Sequence, residues 1–463
     1  MRSDSTITDV SNRDVLVYGL GRFGGAAGAI RFLANQGARV FVADDSPAET
    51  LAESVEALRD VDVADWFFQV PIGQLPEHDV LVANPGLKPN HPLLVAAADN
   101  GVRVTSEVEL FAERCPADLV AVTGSNGKST TASMIAHLVS ASGRRCHLGG
   151  NFGGSLLSRL DEIQPEDLVV LELSSFQLAR MNDQSFEASV SVVTNFTPNH
   201  LDWHPTLQHY RDSKHRVVDL ASGGVSILPG DDQEFAEWPV TSNQSFFGED
   251  RGETGVFLAD GSIIFRTPRG EEAVPQWSLR VPGEHNLRNS LAAAAVAFAA
   301  GVEPVLIATA IQDFAGVPYR LQIVGTYEGR TFVNDSSATT PESVVRALSA
   351  FRQPMVLIAG GADKGLDLTP IARTATSSAR AACWIGSTGP GLFETAQTAD
   401  PDFHQDCHET LDSAFQAAVE VSKSGDIVIL SPGCASFGMY ANYRQRGQHF
   451  DQLVQRLNQS ESP

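Results

Sequence analysis

Residues 119–139, LVAVTGSNGKSTTASMIAHLV, read as a β-branched strand, a glycine-rich loop and a helix that opens with Lys128, Ser129 and Thr130. Backbone amides at such a helix start cradle phosphates, with Gly124, Ser125, Asn126 and Gly127 forming the loop. Lys128 supplies charge toward the terminal phosphates, and the Ser129 hydroxyl reaches Mg²⁺. The full GxxxxGK spacing would need glycine at 122, where valine stands, so the loop is a shortened form of the phosphate-binding motif. An ATP site on a parallel α/β sheet is the expectation, against a plain glycine-rich βα turn.

Upstream, residues 13–45, RDVLVYGLGRFGGAAGAIRFLANQGARVFVADD, repeat the strand, glycine turn, helix and strand order, ending in Asp44 and Asp45. Gly19, Gly21 and Gly24 allow close backbone approach to a nucleotide, and Asp44 stands where a ribose or base is read. A redox dinucleotide site and a bare packing unit both remain open at this point. DVLVANPG at 79–86 adds a strand whose Asn84-Pro85-Gly86 turn falls at its carboxyl end, where open α/β sheets place ligands.

Downstream, DLVVLELSS (167–175) and ASVSVVTNF (188–196) are apolar runs of the buried parallel kind. Glu172, Ser174 and Ser175 follow the first, and Asn195, His200, Asp202 and His204 the second. Glu172 and His200, in the same sheet as Lys128, are candidate Mg²⁺ ligands together with Ser129. HLDWH also invites a zinc reading, but it offers no clean third ligand and no cysteine-rich partner. Lys214, in HYRDSKHR, reads by default as a solvated surface lysine. Residues 221–280 read as short antiparallel strands, followed by the alanine-rich helix NLRNSLAAAAVAFAAG.

From about 317 the α/β pattern returns, with strands expected at RTFVND, PMVLIAG, AACWIG and DIVILSPG. Arg320, Asn334, Asp335, Ser336, Lys364 and Asp367 lie on their ends or loops, where closure over the phosphate loop would exclude water from a reactive intermediate. GCASFG contains Ser436 but not the GxSxG elbow of a serine hydrolase.

Composition bounds these readings. The 463 residues carry 33 Lys+Arg against 56 Asp+Glu, a formal net charge of −23. That balance argues against a broad phosphate-neutralising surface, so no nucleic acid partner is expected. Five scattered cysteines without a CxxC pair argue against a disulfide framework. Neither a leader-like stretch nor a run of membrane-spanning length is legible, and a cytoplasmic protein with no membrane span is expected.

The motifs, in order, resemble the Mur ligase family over about residues 14–452. VTGSNGKSTT is similar to the family's phosphate loop, LELSSFQL to its glutamate segment and TNFTPNHLDWH to its histidine segment. PGEHNLRNSLAA is similar to its asparagine segment, and LSPGCASFGMYANYRQRGQHF to its C-terminal signature. The resemblance implies a three-domain α/β fold: a Rossmann-like UDP-binding domain (1–109), a central P-loop ATPase domain (110–316) and a C-terminal Rossmann-like domain (317–463). It implies the family branch that joins D-glutamate to UDP-N-acetylmuramoyl-L-alanine, with ATP as substrate and an acyl phosphate intermediate, in peptidoglycan precursor synthesis. A monomer is expected.

By that likeness the first glycine loop holds UDP rather than NAD, with Gly21, Asp44, Asn84, Pro85 and Gly86 near the uridine and diphosphate. Asn151, in GNFG, matches the segment that contacts the sugar-peptide part, and Ser174 is a further substrate-binding position. Lys128, Glu172, His200, Lys214 and Lys364 match catalytic positions. Two Mg²⁺ ions are implied at Ser129, Glu172, His200 and Lys214, the last as a carbamylated lysine. Asn286, Asn289, Arg320 and Asp335 match ATP-binding positions, while His200, Thr339, Lys364, Ser436 and Tyr443 match the region receiving glutamate. Four positions depart from the family pattern: Ser337 stands for a usual lysine in NDSSATT, Tyr319 for histidine, Gly438 for aspartate and Tyr443 for phenylalanine. Ser337 keeps addition of L-glutamate to the same precursor as the alternative.

Overall fold

The computed structural model describes residues 9–459 apart from 22–24, 182–184, 202, 282 and 364. The chain divides into two compact units, Met1–Leu279 with Glu284–Asp313, and Arg280–Gly283 with Phe314–Pro463.

The first unit holds two sheets. One has β1 (Asp14–Tyr18), β2 (Arg39–Asp44), β3 (Asp65–Phe68), β4 (Val80–Ala83) and β5 (Arg103–Thr105) in the order β3-β2-β1-β4-β5, all parallel. The strand order reverses between β1 and β4, which brings the loops that leave them, at Gly19–Gly21 and Asn84–Gly86, to the crevice at the sheet's carboxyl edge.

The second sheet contains β6 (Asp118–Thr123), β7 (Cys146–Gly150), β8 (Leu168–Glu172), β9 (Val190–Val193), β10 (Val225–Pro229), β11 (Asn243–Gly248), β12 (Gly255–Ala259), β13 (Ser262–Thr267) and β14 (Gly270–Pro275). Their order is β14-β13-β12-β11-β10-β9-β6-β8-β7. Strand β6 lies between β8 and β9, pairing Val122 with Glu172 and Thr123 with Val193. Because all three run parallel, the phosphate loop, Glu172 and the Asn195–His200 segment leave from one edge. The strand interiors are buried and, apart from Ser191 of β9, which bonds Ser226 of β10, apolar, as a sheet covered on both faces requires. The alanine-rich helix is Glu284–Ala299; its small side chains from Ala292 to Ala297 are buried and let it pack closely on helix Lys128–Ala141.

Residues 221–280 depart from the expectation of antiparallel strands. Strands β10, β11 and β12 pair parallel, and only the β12–β13 and β13–β14 pairs are antiparallel. The connection from β11 to β12 is short enough to suggest a hairpin, but Gly248 and Gly252 adopt φ of +99° and +78° and carry the chain back to start a strand of the same sense.

The second unit holds β15 (Gln322–Tyr327), β16 (Arg330–Asn334), β17 (Met355–Gly360), β18 (Ala381–Ile385), β19 (His404–His408) and β20 (Ile427–Leu430), in the order β15-β16-β20-β17-β18-β19. The β15–β16 pair is antiparallel with an irregular register between Ile323 and Gly325, and the other pairs are parallel. The four strands expected from sequence are present, and β15 and β19 extend the sheet. Here too the order reverses, and the ends of β16, β20 and β17 bring Asp335, Ser431 and Gly361 to one edge.

Candidate active site

The phosphate loop is shaped by two glycines that no other residue replaces. Gly124 has φ +146° and a Cβ there would run into Thr194 Oγ1; Gly127 has φ +79° and a Cβ would strike Asn289 Oδ1. The loop is tied to the segment after β9. Asn195 O accepts from Ser125 N (3.0 Å), Asn195 Oδ1 accepts from Asn126 N (2.9 Å), and Thr194 Oγ1 donates to Asn126 O (2.5 Å). Ser125 Oγ donates to Thr197 O and meets Tyr210 Oη, both at 2.8 Å. Asn289, whose Nδ2 bonds Asn286 Oδ1 at 3.3 Å, lies close against Gly127 on the other side of the loop. Helix Lys128–Ala141 starts from the loop, with Ser129 buried in its first turn.

Lys128 Nζ donates to the carbonyls of Gly124 (2.9 Å) and Ser125 (3.1 Å). The Gly124 carbonyl also accepts from Lys214 Nζ at 2.7 Å. Lys214 is therefore no surface lysine. Helix Leu207–Asp219, capped by Thr206 accepting from His209 N, places it on the stripe of Tyr210, Ser213, Val217 and Val218, and it is 2% exposed. Burial holds its amine well below the ordinary lysine value, the Lys128 charge adds to that, and Glu172 opposes it.

Glu172, 2% exposed at the end of β8, accepts from Asn151 Nδ2 at 3.2 Å through Oε1. Its Oε2 is buried with no protein partner. A hard carboxylate oxygen of that kind, on the same strand edge as the Ser129 hydroxyl and near the Lys214 amine, fits a divalent cation of the Mg²⁺ class. His200 is exposed, with φ +55° and its ring edge-on to Phe176 at 4.9 Å. Among the described residues no three His, Cys, Asp or Glu side chains converge as a self-contained metal cage.

The two sheets of this unit enclose a cavity of about 320 Å³, lined by Gly21, Asn84, Pro85 and Gly86 from the first and Asn151 and Ser174 from the second. Asp44 acts beneath this surface: it is buried and its Oδ2 accepts from Gly21 N at 3.1 Å, fixing the glycine loop. Asn84 Nδ2 donates to Gly19 O and Asn84 Oδ1 accepts from Gly86 N, which stitches the two crevice loops together.

The cavity also exposes a residue absent from the sequence reading. Glu107 lines it, accepting from Ser155 Oγ at 2.6 Å, and burial pushes its carboxyl up to about 7. The one available signal was the S-x-x-E pattern of Ser106 and Glu109, which caps this short helix and sets Glu107 in its first turn.

In the second unit Asp335 is buried after β16. Its Oδ1 accepts from Leu321 N (3.1 Å) and its Oδ2 from Ser431 Oγ (2.7 Å), and burial pushes it up to about 7. It thereby anchors the turn that carries Arg320, whose neighbours Tyr319 and Leu321 have φ of +63° and +44°. Ser337, where the resemblance expects lysine, bonds Tyr319 O through its own N–H. Tyr319 and Tyr443 meet edge to face at 6.4 Å, so two of the departing positions are neighbours. Arg446, 1% exposed, spans from Ser336 to the carbonyls of Cys434 and Ala435 and so holds the chain leading to the buried Ser436. Thr339 is half-buried just before helix Pro341–Ser349. Gly24, Asp202 and Lys364 lie outside the described residues.

Three family models match the chain: Mur ligase MurD-like, N-terminal domain, at 13–106; Mur ligase middle domain at 122–297; and Mur ligase, glutamate ligase domain, at 319–434. The chain is 34% identical to the UDP-N-acetylmuramoylalanine--D-glutamate ligase of Ruminiclostridium cellulolyticum, covering 97% of this chain and 98% of that protein. It is 32% identical to the protein of the same name from Caldanaerobacter subterraneus subsp. tengcongensis, over 97% and 99%. Among solved structures it resembles the UDP-N-acetylmuramate-alanine ligase of Thermotoga maritima, with TM-score 0.56, 17% identity and coverage of 97% and 100%. It also resembles MurF of Acinetobacter baumannii, with TM-score 0.54, 20% identity and coverage of 77% and 82%. These structures share the fold.

Proposed function

Because the chain belongs to the Mur ligase family, we propose that it is an ATP-dependent amide-bond-forming ligase that adds D-glutamate to UDP-N-acetylmuramoyl-L-alanine in peptidoglycan precursor synthesis. The observation that carries the chemistry is the meeting of Lys128 and Lys214 on the Gly124 carbonyl, with the unpartnered Glu172 oxygen on the same strand edge.

The substrate's terminal carboxylate attacks the γ-phosphorus of ATP, forming an acyl phosphate and releasing ADP. The Gly124–Thr130 loop orients the phosphates, and Lys128, turning from its own loop carbonyls, neutralises charge on the transferring group. Ser129, Glu172, His200 and Lys214 would hold Mg²⁺, which supplies Lewis-acid stabilisation of phosphoryl transfer. Lys214 serves there as a carbamate: burial and Lys128 favour its neutral amine, which can attack CO₂, lose a proton and become an anionic oxygen ligand. The glutamate amine then attacks the acyl carbon, and the tetrahedral intermediate expels phosphate to leave the amide.

Gly21, Asn84, Pro85 and Gly86 take the UDP end, with Asp44 holding Gly21 from below, and Asn151 and Ser174 take the sugar-peptide end. Asn286, Asn289, Arg320 and Asp335 serve ATP, and Thr339, Lys364, Ser436 and Tyr443 serve glutamate. The domains are assigned as 1–109, 110–316 and 317–463. Among the described residues no helix is long and apolar enough to cross a membrane. Use of ATP and a nucleotide precursor assigns the enzyme to the cytoplasm, acting as a monomer without nucleic acid.

The test is phosphate release with ATP, Mg²⁺ and UDP-N-acetylmuramoyl-L-alanine, run in parallel with D- and L-glutamate, followed by the product mass. Release and a glutamyl product with the D isomer are expected. Preference for the L isomer would turn the specificity over and point to the altered pocket around Ser337 and Tyr319; release with neither would overturn the substrate assignment.

A further inference from the structure

The carbonyls of the Asn84–Leu87 turn are held by two side chains from the neighbouring sheet. Arg180 Nη1 donates to Asn84 O at 2.5 Å and its Nη2 donates to Leu87 O. Trp203 Nε1 donates to Gly86 O at 3.0 Å. Three of the four carbonyls of this turn, those of Asn84, Gly86 and Leu87, therefore accept from across the cleft, while the Asn84 side chain secures Gly19 on its own sheet.

The donors come from the two segments that carry the proposed phosphoryl-transfer residues. Arg180 follows Glu172 at the end of the short helix Ser175–Leu178, and that helix end is itself clamped by Arg216 Nη1, which donates to Leu178 O, Ala179 O and Met181 O. Trp203 shares a tight turn with His200, whose carbonyl accepts from both Trp203 N (3.1 Å) and His204 N (2.9 Å). Its indole packs on Phe176 at 4.7 Å, and Phe176 meets the His200 ring. Trp203 is 7% exposed, so the indole is shielded and its one donor is committed to Gly86.

We propose that Arg180 and Trp203 are positioning residues that set the span between the nucleotide-binding crevice and the phosphoryl-transfer edge, an inference that rests on the ligase reading. A substrate held by UDP at one sheet and by its carboxylate at the other gains from its second contact only when the two sites stand at the right separation. Loosening the tie lowers the effective concentration of the carboxylate at the phosphate loop and leaves each half-site intact.

The experiment compares Trp203→Phe, which keeps the ring packing and deletes the donor, with Arg180→Met, which keeps the stem and deletes both donors. UDP alone, ADP alone and the complete UDP-N-acetylmuramoyl-L-alanine are titrated calorimetrically into wild type and each variant. Steady-state kcat and KM for the precursor are measured alongside. For each variant, UDP and ADP affinities within about twofold of wild type are expected, with affinity for the whole precursor and kcat/KM down by about tenfold, the loss expected from one or two deleted hydrogen bonds. Equal loss of UDP and precursor affinity would show that the two side chains only support the turn, and unchanged precursor affinity would show that the span is set elsewhere; either overturns the proposal. If wild type itself fails to bind the precursor, the ligase reading fails instead, and the two failures are told apart by that control.

Discussion

Replacing Lys214 with methionine separates a lysine kept for chemistry from one kept for stability. Methionine preserves most of the stem volume and removes the amine. In the native chain Lys214 and Lys128 donate to the same Gly124 oxygen at 2.7 and 2.9 Å. Their nitrogens can be no further apart than roughly 5.6 Å, where two unit charges, were both amines protonated, would repel by about 3 kcal/mol at an effective dielectric near 20. The hydrogen bond from a charged donor offsets about 1.5–3 kcal/mol of this. Gly124 keeps Lys128 as a donor in the variant, so no buried acceptor is stranded.

Because burial penalises the ammonium as well, the substitution is expected to leave stability unchanged or to raise it by about 1–2 kcal/mol, as when apolar side chains replace buried charges. The pH dependence has a definite sign. Between the depressed folded value and the ordinary value of 10.5, the unfolded chain holds a proton that the folded chain has released. Wild-type stability therefore rises with pH through that window, and the advantage of the methionine variant narrows. Urea unfolding in carbonate-free buffer from pH 6 to 9 measures this, together with phosphate release. Turnover is expected to fall by at least about a hundredfold, and added bicarbonate to shift the wild-type midpoint but not the variant's. A variant less stable than wild type by more than about 2 kcal/mol, beyond what one charged hydrogen bond supplies, would refute the reasoning, as would turnover at the wild-type rate.

Other expectations follow from the same geometry. On the role proposed for its ammonium at the transferring phosphate, Lys128→Ala is expected to lose about 10²–10³-fold in turnover with an unfolding midpoint close to wild type; full turnover would sink the assignment. Glu107 is raised from 4.5 to about 7 by burial, so between these values the folded state holds a proton the unfolded state has lost, and stability declines as pH rises. The decline amounts to about 3 kcal/mol. Glu107→Gln should flatten that part of the urea-midpoint profile, and an unchanged slope would count against a buried carboxyl there. Gly127→Ala is expected to cost about 1–2 kcal/mol for the left-handed backbone alone. Its collision with Asn289 should raise KM for ATP, and an unaltered KM would mean that the loop has more freedom than its contacts imply.

The order of motifs made the architecture legible because each motif sits at the carboxyl end of a buried parallel strand, and apolar runs of that kind are conspicuous. The phosphate loop and the Glu172 and His200 segments needed no tertiary information beyond strand adjacency. Lys214 did: HYRDSKHR looks solvated residue by residue, and only the spacing of Tyr210, Lys214, Val217 and Val218 shows that the lysine lies on the inward stripe. The parallel sense of β11 and β12 was hidden because a short glycine-containing link ordinarily announces a hairpin. Glu107 was hidden because an acid in a first helical turn usually means a dipole partner at the surface. Arg180 and Trp203 carry no local pattern at all, since the carbonyls they bind lie about 90 to 120 residues away in the chain, in the Asn84–Leu87 turn.

The electrostatics of the first unit separate chemistry from architecture without reference to any relative. Away from the cleft, Glu113 and Asp167 are acids with bases beside them, Arg103 for the first and His147 at 2.9 Å for the second, although Glu109 is held by Ser106 and Ser185. At the cleft the pattern inverts. Two lysines crowd one carbonyl, a carboxylate oxygen of Glu172 is buried with no protein partner, and the half-buried Glu107 has a serine rather than a base as its partner. Each arrangement costs folding energy that a rearranged apolar site would avoid; the lysines and Glu172 share the edge where three parallel strands deliver their loops, and Glu107 lines the cavity that adjoins it. Conflicts gathered around one cleft are what a site built to meet an anionic, metal-associated substrate would show, because such a ligand would resolve them: phosphate would satisfy the lysines, and a cation would satisfy Glu172.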